Sequence, residues 1–386
     1  MSEPVYIAGI YEHPTRNAPD TSNLQLHSEV LLGALDDAGL TLSDVDGFFT
    51  AGNTDFGSSQ GPMDIPEYLG LETAYVDATD HGGSSYISHV GHAANAIRNG
   101  TCDVAAVTLA GRPRQWQGGS GRIRSHSGAF ESIYGTGTLN MYGMAMRRHM
   151  HEYGTTLEQL AAVKVAASEH AQYNEHAFLP DPVTIDEVMS SRLVADPLRL
   201  MDCCVVTDGG GAFVMVSADV RSKLNRECVE VLGHGEYIDH HGNSRSVDLT
   251  ETGARISGPR AFREAGLGPE HVEYASIYDS FTITVIEQLE DLGFCQKGYG
   301  GEFVEDGGLR APDGRLPFNT DGGGLCNNHP SNRGGMTKVI EAVRQLRRET
   351  HPAVQVEADI ALAHGTGGGG MGRHQSATVL LGREDR

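Results

Sequence analysis

Two stretches of this chain carry the same punctuation, and that repetition narrows the possible folds more than any other feature. Ala38-Gly39-Leu40 leads through a polar turn to Val45 and the run Asp46-Gly-Phe-Phe-Thr50. Ala265-Gly266-Leu267 leads through a similar turn to Val272 and the run Glu273-Tyr-Ala-Ser-Ile277. The echo continues downstream, where Ala78-Thr-Asp-His-Gly-Gly83 resembles Asn319-Thr-Asp-Gly-Gly-Gly324, each ahead of a helix-like segment and an apolar strand. A βαβ unit written twice is the economical reading.

At 386 residues the chain suits one large unit of two similar halves. The boundaries are expected at 1–225 and 226–386, with an inserted loop domain over about 111–197 that interrupts the βαβ rhythm. In the first half, Val5–Ile10, Val45–Thr50 and Val104–Leu109 read as strands, and Leu24–Ala38 and Ser84–Arg98 as helices. Thr155-Thr-Leu-Glu158 fits a capping box ahead of a helix running to Ala171. Strand and turn return over Asp202–Val216, and Val229–Ile238 and Ala377–Leu381 read as strands of the second half. Two mixed or parallel sheets with a helix layer shared between them follow. In such folds chemistry gathers at strand carboxyl ends and helix N-termini.

The formal charge of -22 and the lack of a basic tail argue against nucleic acid or an anionic membrane as partner. No secretory signal or membrane-spanning run is legible. Six cysteines with no CxxC pair read as reduced thiols in the cytoplasm. The 50 glycines, about twice the usual share, cluster in turns beside strands, where backbone must bend tightly or approach a ligand.

Three motifs then carry a family resemblance. Asn328-His329-Pro330 follows Asn319-Thr-Asp-Gly-Gly-Gly324 and precedes a helix over Met336–Arg348. Tyr278-Asp-Ser-Phe281 is followed by Leu292-Gly-Phe-Cys295, and the chain closes with His364-Gly-Thr-Gly-Gly. These resemble the catalytic-histidine, HDCF-type and final glycine-loop motifs of sterol-carrier-protein-linked thiolases, in the family's order and over nearly the whole chain. The resemblance implies an α/β thiolase fold, five-layered αβαβα, from two duplicated halves. It also implies a homodimer and an acyl-CoA substrate, so that coenzyme A enters as part of the substrate and no cofactor or metal is resident.

The departures are as informative. Counting back from Ile97-Arg-Asn-Gly100 places the family's acyl-accepting cysteine at Gly83, a one-residue shift gives only Ser84, and no cysteine lies in residues 1–101. The second thiolase cysteine is missing as well, with His364 in its neighbourhood. A Claisen cleavage through an acyl-cysteine is therefore not expected. The pattern resembles a branch of aldolases that shorten steroid side chains as CoA thioesters, use the tyrosine of a YDxF motif, and work with a small zinc-ribbon plus OB-fold partner protein. Tyr278 matches that tyrosine, while His329 is kept where a tyrosine can stand in that branch.

Retro-aldol cleavage of a β-hydroxyacyl-CoA needs a base for the hydroxyl proton and donors for the developing enolate. The candidate proton carriers are His329 and Tyr278, with His364 either a third or a support for the glycine turn. The turn Gly82-Gly83-Ser84 offers backbone donors at a helix start. Ser84 is either a nucleophile with His329 as base or a helix-capping serine. Gly323 and Gly324 are the matching turn of the second half. Arg112 and Arg114, with Arg122, Arg124 and the single tryptophan Trp116, form a basic aromatic cluster suited to CoA phosphates and adenine, or to a dimer or partner contact. Cys326, three residues before His329, and Cys203-Cys204 read as packed side chains. Gly365–Gly370 matches GxGxxG without the βαβ context of a nucleotide site, and His149-Met-His151 lacks further metal ligands. The rival functions are a Claisen-type acyltransferase working through Ser84 or by direct transfer, and a non-catalytic CoA-binding scaffold.

Overall fold

The computed structural model describes residues 3–51, 61–115, 137–239, 248–330, 334–367 and 375–386. The first half runs β1 (Val5–Glu12), α1 (Asn23–Ala38), β2 (Gly47–Phe49), β3 (Tyr75–Asp77), α2 (Ser85–Arg98) and β4 (Val104–Gly111). After an insertion carrying α3 (Thr138–Tyr153) and α4 (Leu157–Ala171), it ends with β5 (Gly209–Ser217). The second half repeats that order as β6 (Val229–Ile238), α5 (Ala254–Ala265), β7 (Tyr274–Ile277), α6 (Thr282–Asp291), α7 (Gly323–Cys326), α8 (Gly335–Leu346), β8 (Ile360–Gly367) and β9 (Gln375–Arg383).

Among the described residues these strands form one sheet in the order β3-β2-β4-β5-β1-β6-β9-β8-β7. The order is two copies of one half-sheet. In the first, β2 is parallel to β3 and β4, and β5 runs antiparallel to β4 and β1. In the second, β7 is parallel to β8, and β9 runs antiparallel to β8 and β6. A parallel bridge from Ala275 to Phe318 stands where β3 stands in the first copy. The copies meet where Tyr6 and Ile7 of β1 pair with Glu230 and Val229 of β6.

Side chains decide the layering. Ile87 and Val90 of α2 and Val339, Ile340 and Val343 of α8 share one buried cluster with residues of both half-sheets, so these helices are the shared middle layer. Val30, Leu31 and Leu35 of α1 cover the outer face of the first half-sheet. Phe262 of α5, Ile286 and Leu289 of α6, and Leu160 and Val163 of α4 cover the outer face of the second. The five layers are thus the expected αβαβα.

The repeated Ala-Gly-Leu is a helix stop in both places. Gly39 and Gly266 adopt φ of 72° and 69°, a left-handed conformation that suits glycine. Leu40 and Leu267 donate back to Leu35 and Phe262, closing the last helical turn. The acid before each short strand is duplicated too. Asp46 accepts the amides of Asp103 and Val104, and Glu273 those of Asp359 and Ile360, so each carboxylate ties the start of the neighbouring strand.

Two expectations need correction. The capping box is one residue later than the sequence pattern indicates: Thr156 accepts from the Gln159 amide and the Gln159 side chain accepts from Thr156, while Thr155 instead bonds His149. The strand expected from Asp202 begins only at Gly209, because residues 200–202 form a tight turn and Cys203 makes an isolated bridge to Phe281. No helix among the described residues is long and apolar enough to cross a membrane.

Candidate active site

Tyr278 is the first residue after β7, and its backbone is held on both sides. Its N–H donates to the His364 carbonyl (3.0 Å), and its own carbonyl accepts from Gln288 Nε2 (2.7 Å). One residue earlier, the Asn319 carboxamide both accepts from and donates to the Ile277 main chain (2.9 and 2.8 Å). Asn319 itself sits at φ 40°, a conformation asparagine tolerates better than most residues. A strand end clamped this way gives the tyrosine ring one direction to take.

The ring meets His329. Tyr278 Oη lies 2.7 Å from His329 Nε2, and both side chains are buried. Burial pushes the His329 pKa down to about 4 and holds the Tyr278 phenol well above its ordinary range. At neutral pH the pair is a neutral phenol against a neutral imidazole.

Glycine makes the room for the pair. A Cβ on Gly83 would lie 2.5 Å from Tyr278 Cζ and 2.4 Å from the Thr366 carbonyl oxygen. The tyrosine ring therefore occupies the space that a side chain at position 83 would need. A Cβ on Gly334 would stand 2.8 Å from the same ring and 3.2 Å from His329, so a second glycine closes the other side.

Behind the pair lies a buried ion pair that sequence reading did not single out. Asp279, inside the Tyr-Asp-Ser-Phe run, accepts the amides of Gly324 (2.8 Å) and Leu325 (3.1 Å) at the start of α7. Lys338 Nζ from α8 lies 3.0 Å from Asp279 Oδ1 with both side chains about 1% exposed. Asp279 was at least visible within a motif. Lys338, in the middle of a helix, had no local signal.

The remaining candidates fall in different places. Ser84 is fully buried in the first turn leading into α2, with Oγ 2.7 Å from His81 Nδ1 and further contacts to the His81 and Gln375 carbonyls. The Gly82 amide donates to Asp80, with Gly82 at φ 73°. Gly323 and Gly324 spend their amides on Asp321 and Asp279, and a Cβ on Gly323 would collide with the Asp279 carboxylate at 2.2 Å. His364 lies in β8, buried, with Nδ1 2.8 Å from Thr378 Oγ1 and its pKa lowered by burial to about 3. Its carbonyl accepts from the Tyr278 N–H.

Arg112 bonds the Ala18 and Pro19 carbonyls. Arg114 bonds the Val206 carbonyl and lies over the Phe178 ring, whose own amide donates to the carbonyl of Asn327 in the histidine loop. Trp116, Arg122, Arg124 and Gly368 to Gly370 lie outside the described residues. Cys326 is buried with Sγ 3.1 Å from Lys164 Nζ, and burial raises its pKa. His149 is buried between Thr155 and Glu290.

A doubled αβαβα unit with a histidine–tyrosine pair, and glycine where an acyl-accepting thiol would stand, defines a thiolase-fold protein without the thiolase nucleophile. Residues 235–383 match the family described as thiolase C-terminal domain-like. Over 363 residues the chain is 34% identical to a steroid side-chain-cleaving aldolase of Thermomonospora curvata, covering 88% of this chain and 90% of that one. It is 32% identical over 376 residues to an acetyl-CoA acetyltransferase of Methanothermobacter thermautotrophicus, covering 95% and 97%. The solved structure of an Ltp2-ChsH2(DUF35) aldolase superposes with a TM-score of 0.88 at 29% identity, covering 99% of this chain and 98% of that one. The chain belongs to the thiolase superfamily, in the sterol-carrier-protein-linked branch.

Proposed function

We propose that this protein cleaves a β-hydroxyacyl-CoA by a retro-aldol reaction, with Tyr278 and His329 moving the proton. The observation that carries the reading is the 2.7 Å contact between Tyr278 Oη and His329 Nε2, beside a position 83 with no room for a side chain. The substrate hydroxyl gives its proton to the Tyr278 oxygen as the phenol proton passes to His329 Nε2. The Cα–Cβ electron pair moves onto the thioester as an enolate, and the β-carbon leaves as a carbonyl. The proton on His329 then returns through Tyr278 to Cα, releasing the shortened acyl-CoA. The Gly83 and Ser84 amides, in the Gly82-Gly83-Ser84 turn ahead of α2, hold the thioester oxygen as charge develops, while the Gly82 amide stays on Asp80.

The substrate class is a lipid or steroid side chain carried on CoA, a reading supported by the aldolase relatives. Arg112, Arg114 and Trp116 are the candidates for the CoA phosphates and adenine. The protein works in the cytoplasm as a homodimer with a zinc-ribbon plus OB-fold partner. The Ltp2-ChsH2(DUF35) likeness is the support for that partner.

Claisen-type transfer through Ser84 is the rival, and the burial of that hydroxyl against His81 argues against it. The test is turnover of a β-hydroxyacyl-CoA, partner supplied, followed by mass spectrometry of the quenched protein. Tyr278→Phe and His329→Ala are expected to lower kcat by about 10²- to 10⁴-fold, and Ser84→Ala to leave it within a few-fold. An acyl adduct on Ser84, or full activity in the first two variants, would sink the aldolase reading.

A further inference from the structure

We infer that Glu12, at the end of β1 and more than 300 residues away in sequence, is a positioning residue that sets the polarity of the hydrogen bonds holding His329 against Tyr278. The inference rests on the retro-aldol reading for its kinetic consequence. Its structural content stands without it.

Glu12 lies at the bottom of a buried polar cluster. Its Oε1 accepts from Arg16 Nη2 (2.9 Å), Asn327 Nδ2 (3.2 Å) and Asn328 Nδ2 (2.9 Å), and its Oε2 from Arg344 Nη1 (3.2 Å). Two guanidinium groups keep the carboxyl ionised, its pKa near 2 despite burial. From there the contacts lead to the catalytic loop. The Asn328 Oδ1 accepts from Thr207 Oγ1 (2.7 Å), and Thr207 Oγ1 accepts the His329 N–H (2.8 Å). Asn327, Asn328 and Thr207 are fully buried, so no water replaces a lost partner on the line.

The direction of every bond follows from the carboxylate. An ionised Glu12 only accepts, so Asn328 must turn its NH₂ toward it and its oxygen toward Thr207. Thr207 then has one acceptor for its proton and keeps a lone pair for the His329 amide. Arg16 locks the same loop from below, with Nε on the Asn327 carbonyl (3.2 Å) and Nη2 on Asn327 Oδ1 (2.7 Å). A glutamine at position 12 of similar shape sets an NH₂ among donors. Relieving that conflict by rotating Asn328 presents a second NH₂ to Thr207 and leaves the threonine proton without its acceptor.

The loop carries this to chemistry because it fixes the His329 main chain, and the ring projects from there. Its ring faces Tyr278, with the Gly324 and Gly334 backbones at its edge, and the charges nearest it are Asp279, between β7 and α6, and Lys338 of α8, neither of which belongs to this line.

The test uses Glu12→Gln, Thr207→Val and Thr207→Ser in the full chain, with the partner present for kinetics. Glu12→Gln and Thr207→Val are expected to lower kcat by about 10- to 100-fold, the range of one charged or buried hydrogen bond, with KM within about twofold. Thr207→Ser keeps the hydroxyl and is expected to retain activity within about threefold. NMR of the His329 ring, assigned by comparison with His329→Ala, needs no turnover. The wild-type ring should stay neutral to about pH 4, and both damaged variants should shift its titration upward by about one unit or more. Unchanged titration and kcat in Thr207→Val, or failure of Thr207→Ser to retain activity, overturns the inference even if Glu12→Gln does not fold. If wild type turns over no β-hydroxyacyl-CoA, the retro-aldol reading fails, and the NMR titration still decides whether the line orients His329.

Discussion

Adding one methyl group at position 83 tests whether the tyrosine ring has taken the room of the missing thiol. In Gly83→Ala the new Cβ would lie 2.5 Å from Tyr278 Cζ and 2.4 Å from the Thr366 carbonyl oxygen, where ordinary contact begins near 3.4 Å. One neighbour is a ring on a clamped strand end and the other is backbone, so neither yields cheaply. Opening the ring contact to an ordinary distance takes a shift of about 1 Å, which carries Tyr278 Oη from 2.7 Å to beyond hydrogen-bond reach of His329. Overpacking of this kind costs about 1 to 3 kcal/mol. At about 2.1 cal/mol/K per residue of unfolding entropy over 386 residues, that lowers Tm by about 1 to 4 °C. A misplacement of about 1 Å at the reacting groups costs about 10²-fold in rate. Calorimetry and steady-state kinetics read both effects. Gly268→Ala is the control, since the atoms nearest its Cβ are the flexible carboxylate end of Glu270 and its φ is -123°. Wild-type Tm and kcat in Gly83→Ala would refute the argument that Tyr278 fills this space.

Three further outcomes follow from the buried titratable groups. His329 is held neutral by burial with a pKa near 4 instead of 6.5, so kcat/KM should stay flat from neutral pH downward and fall only below about pH 5. A limb at pH 6 to 7 would contradict that environment. The same shift destabilises in acid: between pH 6.5 and 4 the unfolded histidine binds a proton that the folded one excludes, so its stability contribution is present above 6.5 and lost as pH falls. Asp279→Ala leaves the Lys338 ammonium buried without its carboxylate and strips an acceptor from two amides. A loss of about 3 to 5 kcal/mol in urea unfolding is expected, and a loss below about 1 kcal/mol would show that the pair is not desolvated as described.

Parts of the site were legible and others were not, for a physical reason. Tyr278 and His329 sit in short runs whose residue types are set by local geometry, a strand end and a turn between two helices, and the fold brings these two side chains into contact. Ser84 was equally legible but ambiguous, because Gly-Ser-Ser before a helix describes a nucleophile and a packed hydroxyl alike. Its contact with His81 is a tertiary fact. The glycine-rich ending marks His364, whose ring lies in a strand with Nδ1 against Thr378 and whose carbonyl accepts from the Tyr278 N–H. The capping box was misplaced by one residue because Thr155 and Thr156 are interchangeable as letters. The bond from Thr155 to His149 distinguishes them.

What the chain alone determined is the doubled architecture and the absence of any cysteine from residues 1–101. Ala-Gly-Leu stops, period-matched apolar runs and the cysteine count are local properties, and they hold wherever the segments end up. What only the tertiary structure decided is which groups meet. Tyr278 and His329 come together across 51 residues, Asp279 finds Lys338 on another helix, and Glu12 reaches the histidine loop from the opposite end of the chain. Those contacts depend on the two half-sheets closing around the α2 and α8 layer. Burial there excludes water, lowers the His329 pKa and leaves each polar atom only the partners the fold supplies.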